Sequence, residues 1–312
     1  MRAARNGVRS RPRGSYRDRW SRRIAFFGLA LGGLLLQSDG HELVLAALSR
    51  VDTPGVRRLR RRLGDRVRVR PDLDGRFVDD LRATQPDLVV SWFWTNRIPM
   101  SVVETAPLGG FGVHPSLLPR HRGPDPTTWA ILSGDAETGV TAHRLAADYD
   151  TGAILDQESL AIDPGWNAWA LAKALDRPSL RVLRRVASRF AAGDPPPERP
   201  QDESAATLAP FLSPEDCVLR WTSSALELHR KVRALAPSPG ATIELGGEEV
   251  VVLELTPRPA PPVLEVPGEA ALLKGRALVR CADGCIELVR VEVGGVALEG
   301  PALREWFSRA VS

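Results

Sequence analysis

From residue 24 to residue 114 short apolar runs alternate with helix-forming segments, and few folds accept that alternation. Residues 24–27, 43–48 and 87–94 (Asp-Leu-Val-Val-Ser-Trp-Phe-Trp) read as buried strands. Residues 66–70 alternate arginine with valine, as a half-exposed strand does, and 109–114 is the next short strand. Residues 54–63 and 77–83 read as helices between them. Strands that alternate with helices imply βαβ units and a parallel sheet. The predicted fold class is therefore α/β, a doubly wound and mainly parallel sheet. Ligands of such sheets bind beyond the carboxyl ends of the strands. Asn96 and His114 both follow strand ends and are expected there.

The pattern continues and then changes. Residues 126–132 are predicted as a helix carrying Trp129. Residues 139–145 and 153–162 read as strands on either side of Asp148-Tyr149-Asp150-Thr151-Gly152. Residues 167–192 form a long amphipathic pattern in which Pro178 predicts a break. Prolines at 195, 196, 197 and 200 mark a spacer. Beyond it one helical stretch, 223–235, precedes short β segments at 241–245, 249–255, 270–273, 277–281 and 286–293, with a closing helical turn at 303–307. That is the pattern of a small open β-barrel, OB-like in type. The expected organisation is an arginine-rich disordered tail (1–22), a doubly wound domain (23–192), a Pro-rich linker (193–206) and a C-terminal barrel domain (207–312).

Charge and cysteine use narrow the function classes. The net charge of +4 is unevenly placed, because residues 1–23 hold nine arginines against the single acid Asp18. The remainder is mildly acidic, which weakens the nucleic-acid reading that a basic chain invites. Arg22-Arg23 followed by the uncharged residues 24–36 imitates an export signal. The run is too short to span a bilayer and contains Gly28, Gly32 and Gly33, which suits a strand, a glycine turn and a helix better. No membrane association is expected. Cys217, Cys281 and Cys285 make neither a disulfide framework nor a metal set, and buried free thiols fit a cytoplasmic protein.

His114 and Asp150 are the residues best suited to chemistry. An imidazole moves a proton near neutral pH, and a carboxylate orients it and stabilises its cation. Asp150-Thr151-Gly152 reads as a tight loop in which backbone amides hold the carboxylate. His114-Pro115 is a rigid extended step, since a residue before proline avoids the helical region. A lone histidine in such a loop also fits a structural role, and the two residues alone leave that open.

A longer string decides more. Val113-His114-Pro115-Ser116-Leu117-Leu118-Pro119-Arg120-His121-Arg122-Gly123, then Trp129-Ala130-Ile131, then Gly134-Asp135-Ala136-Glu137-Thr138-Gly139-Val140-Thr141, then Asp150-Thr151-Gly152 resembles the formyltransferases that use 10-formyltetrahydrofolate. Arg97-Ile98-Pro99 extends the resemblance forward. Trp221, Lys231-Val232-Arg233-Ala234-Leu235-Ala236-Pro237 and Arg304-Glu305-Trp306-Phe307 resemble the C-terminal domain of methionyl-tRNA formyltransferases. The resemblance implies a Rossmann-like formyltransferase fold and formyl transfer from 10-formyltetrahydrofolate to an amine, with no metal. It implies catalytic roles for His114 and Asp150. It implies folate contacts for Ser116, Leu117, Leu118, Pro119, Arg97, Ile98, Asp148, Thr151 and Gly152. Arg120 and Arg122 would meet an anionic folate tail or an acceptor phosphate, or else pair with loop acids.

The sequence departs from the family in one place that matters. The family carries asparagine two residues before the histidine, and this chain carries Gly112. Three readings follow: Asn96 replaces the amide, backbone or water serves, or formyl transfer has been lost and a folate- or ligand-binding relative remains. The acceptor is open between initiator methionyl-tRNA and an amino-sugar nucleotide or other small amine. Arg57, Arg58, Arg60, Arg61 and Arg62 offer cations for phosphates, or simply a solvated helix face. Trp92-Phe93-Trp94 reads as core. His121 has a claim to the folate loop, whereas His41, His143 and His229 read as surface or packing residues.

Overall fold

The computed structural model describes residues 21–312, and the tail expected at 1–22 lies outside them apart from Ser21 and Arg22. The alternation becomes β1 (Arg23–Gly28), α1 (Ala30–Ser38), β2 (Glu42–Leu48), α2 (Val56–Leu63), β3 (Val67–Val69), α3 (Gly75–Ala83), β4 (Leu88–Trp92), α4 (Met100–Val103) and β5 (Gly110–His114). These strands join β6 (Glu137–Arg144) and β7 (Ile154–Ala161) in one sheet of order β3-β2-β1-β4-β5-β6-β7. The β1–β2, β2–β3, β1–β4 and β4–β5 pairings are parallel. The order reverses between β1 and β4, so the chain is doubly wound about that point. Ile24, Ala25, Phe26 and Phe27 are fully buried, as a strand covered on both faces requires.

The helices follow from local chemistry. In α2, Val56, Leu59 and Leu63 form the buried stripe, and all five arginines of the segment are exposed around it. Helix α5 (Pro126–Ser133) starts with proline in its first turn and ends at left-handed Gly134. The long pattern forms α6 (Ala168–Ala192), which continues through Pro178 without the expected break. An interior proline removes its own N–H from the ladder and crowds the carbonyl four residues earlier; Leu171, Leu175, Val182 and Leu183, all fully buried, hold the helix on both sides of it.

The C-terminal region begins with α7 (Ala225–Leu235), opened by a reciprocal cap between Ser224 and Glu227. A second sheet follows: β8 (Ala241–Leu245), β9 (Glu248–Arg258), β10 (Ala270–Leu273), β11 (Arg276–Arg280), β12 (Cys285–Val293) and β13 (Val296–Glu299). Its order is β10-β11-β12-β9-β8, with β13 also on β12, and the pairings are antiparallel. The expected closing turn is a full helix, α8 (Gly300–Ala310), whose Leu303, Trp306 and Phe307 are buried in the core of this sheet.

The residues fall into two compact units. One holds the chain up to Val113 with Ala142–Ala147 and Arg181–Arg199; the other holds His114–Thr141, Asp148–Leu180 and Pro200–Ser312. Cys217, Cys281 and Cys285 are buried free thiols. Among the described residues no helix is long and apolar enough to cross a membrane.

Candidate active site

β5 ends on His114, a side chain only 7% exposed. Its Nε2 lies 2.8 Å from the carbonyl oxygen of His121, and its Nδ1 lies 3.5 Å from Asp150 Oδ2. A carbonyl oxygen only accepts, so Nε2 carries a hydrogen. A lone pair on Nδ1 would face a carboxylate. The ring that satisfies both neighbours is the imidazolium, held between Asp150 and the His121 carbonyl.

Asp150 is itself held on several sides. Its φ of 56° is left-handed, a region that aspartate tolerates better than most residues. The second bond of Oδ2 comes from the Gly123 N–H at 2.9 Å. Gly123 has φ +120°, and a Cβ there would lie 2.9 Å from the Ala209 carbonyl oxygen. Only glycine lets the chain pass so close while offering its N–H to the carboxylate.

The close neighbour of Gly123 belongs to residues 200–209, which run as a strap along this loop. The Arg122 N–H donates to the Thr207 carbonyl at 2.8 Å, and the Ala209 N–H donates to the Arg122 carbonyl at 2.7 Å. The His121 N–H donates to Thr207 Oγ1. The Gln201 side-chain amide donates to both the Asp150 and Gly152 carbonyls at 2.7 Å. Its oxygen accepts from Arg122 Nε and Nη2. The Arg122 guanidinium also makes a two-pronged pair with Glu203, both bonds at 2.8 Å. The pairing raises the Arg122 pKa and holds the Glu203 carboxyl below its ordinary value.

The segment Ser116–Pro119 is fixed from below. Thr141 Oγ1 donates to the Ser116 carbonyl at 2.7 Å and accepts from the Leu118 N–H at 3.0 Å. The Gln157 amide donates to the Leu118 carbonyl at 2.9 Å. Ser116 is fully buried and donates its hydroxyl to the Arg120 carbonyl, so its side chain serves the loop. Leu118 is buried, and Leu117 and Pro119 are half-buried.

The other sequence-selected residues are spread more widely. Arg120 is exposed and pairs with Asp135 at 2.6 Å. His121 is 3% exposed and bonds the other oxygen of Asp135 at 2.7 Å. The acids that meet Arg120 and Arg122 are thus Asp135 and Glu203. Asp148 is exposed, and its carbonyl accepts from Thr151 Oγ1. Asn96 and Arg97 are exposed in the segment after β4, whereas Ile98 is packed in the core with Val102 and Val103. Gly112 is buried within β5. Trp92 is 3% exposed, as the core reading of its segment requires. Among the described residues there is no metal-binding cluster. Sequence reasoning missed Gln201, Thr207 and Gln157; Thr141 lies inside the string that carried the resemblance.

This geometry coincides with a match to known sequences. Residues 52–186 match the formyl transferase family, and residues 212–303 match the formyl transferase C-terminal domain. The methionyl-tRNA formyltransferase of Paramagnetospirillum magneticum is 35% identical over 218 residues, 70% of each chain. The chain belongs to the formyl transferase family. The methionyl-tRNA formyltransferase of Solibacter usitatus is 39% identical over 64% of this chain and 63% of its own length. The chain thus spans between just over half and 70% of the curated relatives it matches. In fold it is similar to HypX from Aquifex aeolicus in complex with tetrahydrofolic acid (TM-score 0.62, 20% identity, 92% of this chain and 47% of that one). It is similar to the same degree to WlaRD, a sugar 3N-formyl transferase (TM-score 0.62, 15% identity, 85% of this chain and 97% of that one). At those identities the likeness is one of fold.

Proposed function

We propose that the protein transfers the formyl group of 10-formyltetrahydrofolate to a primary amine. The observation that carries this reading is the His114 ring held between Asp150 and the His121 carbonyl at the end of β5. In the reaction the neutral amine attacks the formyl carbon, and the carbonyl electron pair moves to oxygen. The bond from carbon to the folate nitrogen then breaks, and the proton lost by the amine ends on that nitrogen. The products are a formamide and tetrahydrofolate. Charge develops on the formyl oxygen, and His114 supplies a fixed positive charge at that place. Asp150 keeps the ring cationic and oriented. Ser116–Pro119, Arg97, Ile98, Asp148, Thr151 and Gly152 are proposed to line the folate side. The packing of Ile98 gives it a supporting part there. Arg120 is proposed to meet an anionic group of folate or acceptor, with Arg122 shaping the loop from beneath.

The proposed acceptor is initiator methionyl-tRNA, as the names of the relatives suggest, and the proposed compartment is the cytoplasm. The exposed arginines of α2 favour a polyanionic acceptor. A second reading, an amino-sugar nucleotide or other small amine, is favoured by the acid excess from residue 206 onward, fourteen acidic against eleven basic side chains. The purified protein is incubated with 10-formyltetrahydrofolate and either charged initiator tRNA or a panel of amino sugars, and release of tetrahydrofolate is followed. Release with tRNA alone supports the first acceptor, and release with one sugar alone supports the second. Folate binding without release from any acceptor would leave a binding protein and sink the catalytic reading.

A further inference from the structure

The carbonyl that accepts from His114 Nε2 at 2.8 Å belongs to the peptide joining His121 to Arg122. In a trans peptide C=O and N–H point in opposite directions, so a grip on the N–H aims the carbonyl on the other side. The Arg122 N–H donates to the Thr207 carbonyl at 2.8 Å. Thr207 Oγ1 accepts from the His121 N–H, also at 2.8 Å. The Thr207 N–H in turn donates to the Pro119 carbonyl at 3.2 Å. One residue of the strap therefore holds the amides on both sides of the His121 α-carbon. His121 needs holding, because its φ of 59° is left-handed, which a bulky residue adopts unwillingly. Its side chain is the second hold. Nε2 of this ring bonds Asp135 Oδ2 at 2.7 Å, and a carboxylate oxygen only accepts, so Nε2 carries a hydrogen. Its Nδ1 has no hydrogen-bond partner among the described residues, so the bond to Asp135 is what the polar ring contributes. Arg120 pairs with the other oxygen of Asp135 and keeps that carboxylate in place.

We infer that Thr207 and His121 are positioning residues for His114. Thr207 from the strap and Asp135 from beyond α5 fix His121 in its left-handed conformation, and that conformation aims its carbonyl at Nε2. The carbonyl and Asp150 then hold the His114 ring from two sides, so its orientation is set before substrate arrives. The inference rests on the formyl-transfer reading. Neither residue exchanges a proton in the step; each acts through the His121 carbonyl alone. The imidazole of His121 serves as a donor of fixed length, and an amide that reaches as far as Nε2 would serve equally.

The test uses the full chain, first with 10-formyltetrahydrofolate and whichever acceptor the wild type uses. Thr207→Val keeps the shape and removes Oγ1. It should lower kcat about tenfold with the folate KM within about twofold, and Thr207→Ser should stay within about threefold of wild type. His121→Phe keeps a buried ring without the donor and should be about tenfold slow. His121→Gln, whose amide nitrogen reaches about as far as Nε2, should recover most of that loss. The second readout needs no substrate. In protein labelled with 15N-histidine, the His114 ring N–H on the carbonyl should give a signal protected from exchange. The signal should weaken in Thr207→Val and His121→Phe and persist in Thr207→Ser and His121→Gln. Wild-type rates from Thr207→Val and His121→Phe would overturn the inference while leaving formyl transfer standing. So would slow variants whose ring signal is intact, or whose KM and thermal melt move as far as kcat. His121→Gln as slow as His121→Phe would give the imidazole a role of its own and overturn the pairing. A wild type silent with every acceptor would sink the formyl-transfer reading and any effect on rate with it. The ring signal would still decide whether Thr207 and His121 fix His114.

Discussion

Gln201 donates its side-chain amide to the carbonyl oxygen of Asp150 at 2.7 Å, while its own oxygen is bound by Arg122. One neutral side chain therefore ties the loop that carries the proposed catalytic carboxylate to the loop that follows His114. Gln201→Leu leaves two backbone carbonyls and a guanidinium short of partners. Each unsatisfied group costs about 1–3 kcal/mol when water cannot replace the bond. The expected result is about a tenfold loss in kcat with the folate KM within about twofold. Gln201→Glu keeps an acceptor for Arg122 but has no amide donor for the Asp150 and Gly152 carbonyls. It should be as slow as Gln201→Leu if the Asp150 side of the bridge matters. Steady-state rates for the two variants decide it, and a fast Gln201→Glu would locate the effect at Arg122 instead.

Asp150→Asn separates charge from geometry. Asparagine accepts the left-handed backbone at φ 56°, and its oxygen still accepts the Gly123 N–H. What disappears is the negative charge facing His114 Nδ1. The rate should fall by about 10²–10³ with melting temperature nearly unchanged. A variant that loses most of its stability along with its rate would show that the carboxylate mainly holds the loop.

The sheet was legible because buried strands and amphipathic helices have different periods, and residues 24–114 keep them apart cleanly. β13 escaped, although Gly294-Gly295 between two strand-forming runs is a two-residue hairpin signal. The break expected at Pro178 failed because tertiary packing carries a helix through one lost donor. His114 and Asp150 were legible from their family string. Gln201 and Thr207 were not, because they sit where proline content dominates the composition and their bonds reach residues about fifty to ninety positions away.

His41 should make stability depend on pH. The ring is 5% exposed, and burial lowers its pKa, with Arg22 acting in the same sense and Asp39 against it. A histidine whose native pKa is depressed stays neutral in the fold while the unfolded chain takes up a proton near 6.5. Its contribution is fully present above that value and is lost as pH falls below it, until the native ring protonates too. The melting temperature should therefore drop between about pH 7 and pH 5. His41→Leu should flatten that drop, and melts in a pH series check it. An unchanged slope would assign the acid sensitivity to other groups.

The α2 arginines distinguish the two acceptors by electrostatics alone. Val56, Leu59 and Leu63 anchor the helix, so Arg57, Arg58 and Arg61 can be reversed to glutamate without touching its buried stripe. If tRNA phosphates dock on these cations, kcat/KM for charged tRNA should fall by about 10–100-fold at low salt. The slope of log affinity against log salt should also flatten by about one for each phosphate that is no longer neutralised. A small amine acceptor carries too few phosphates to depend on this face, so its rate should be unaffected. Equal losses for both acceptors would mean that the reversed charges had disturbed the fold. No loss with tRNA would leave the arginines as a solvated face and remove the main electrostatic support for a nucleic-acid acceptor.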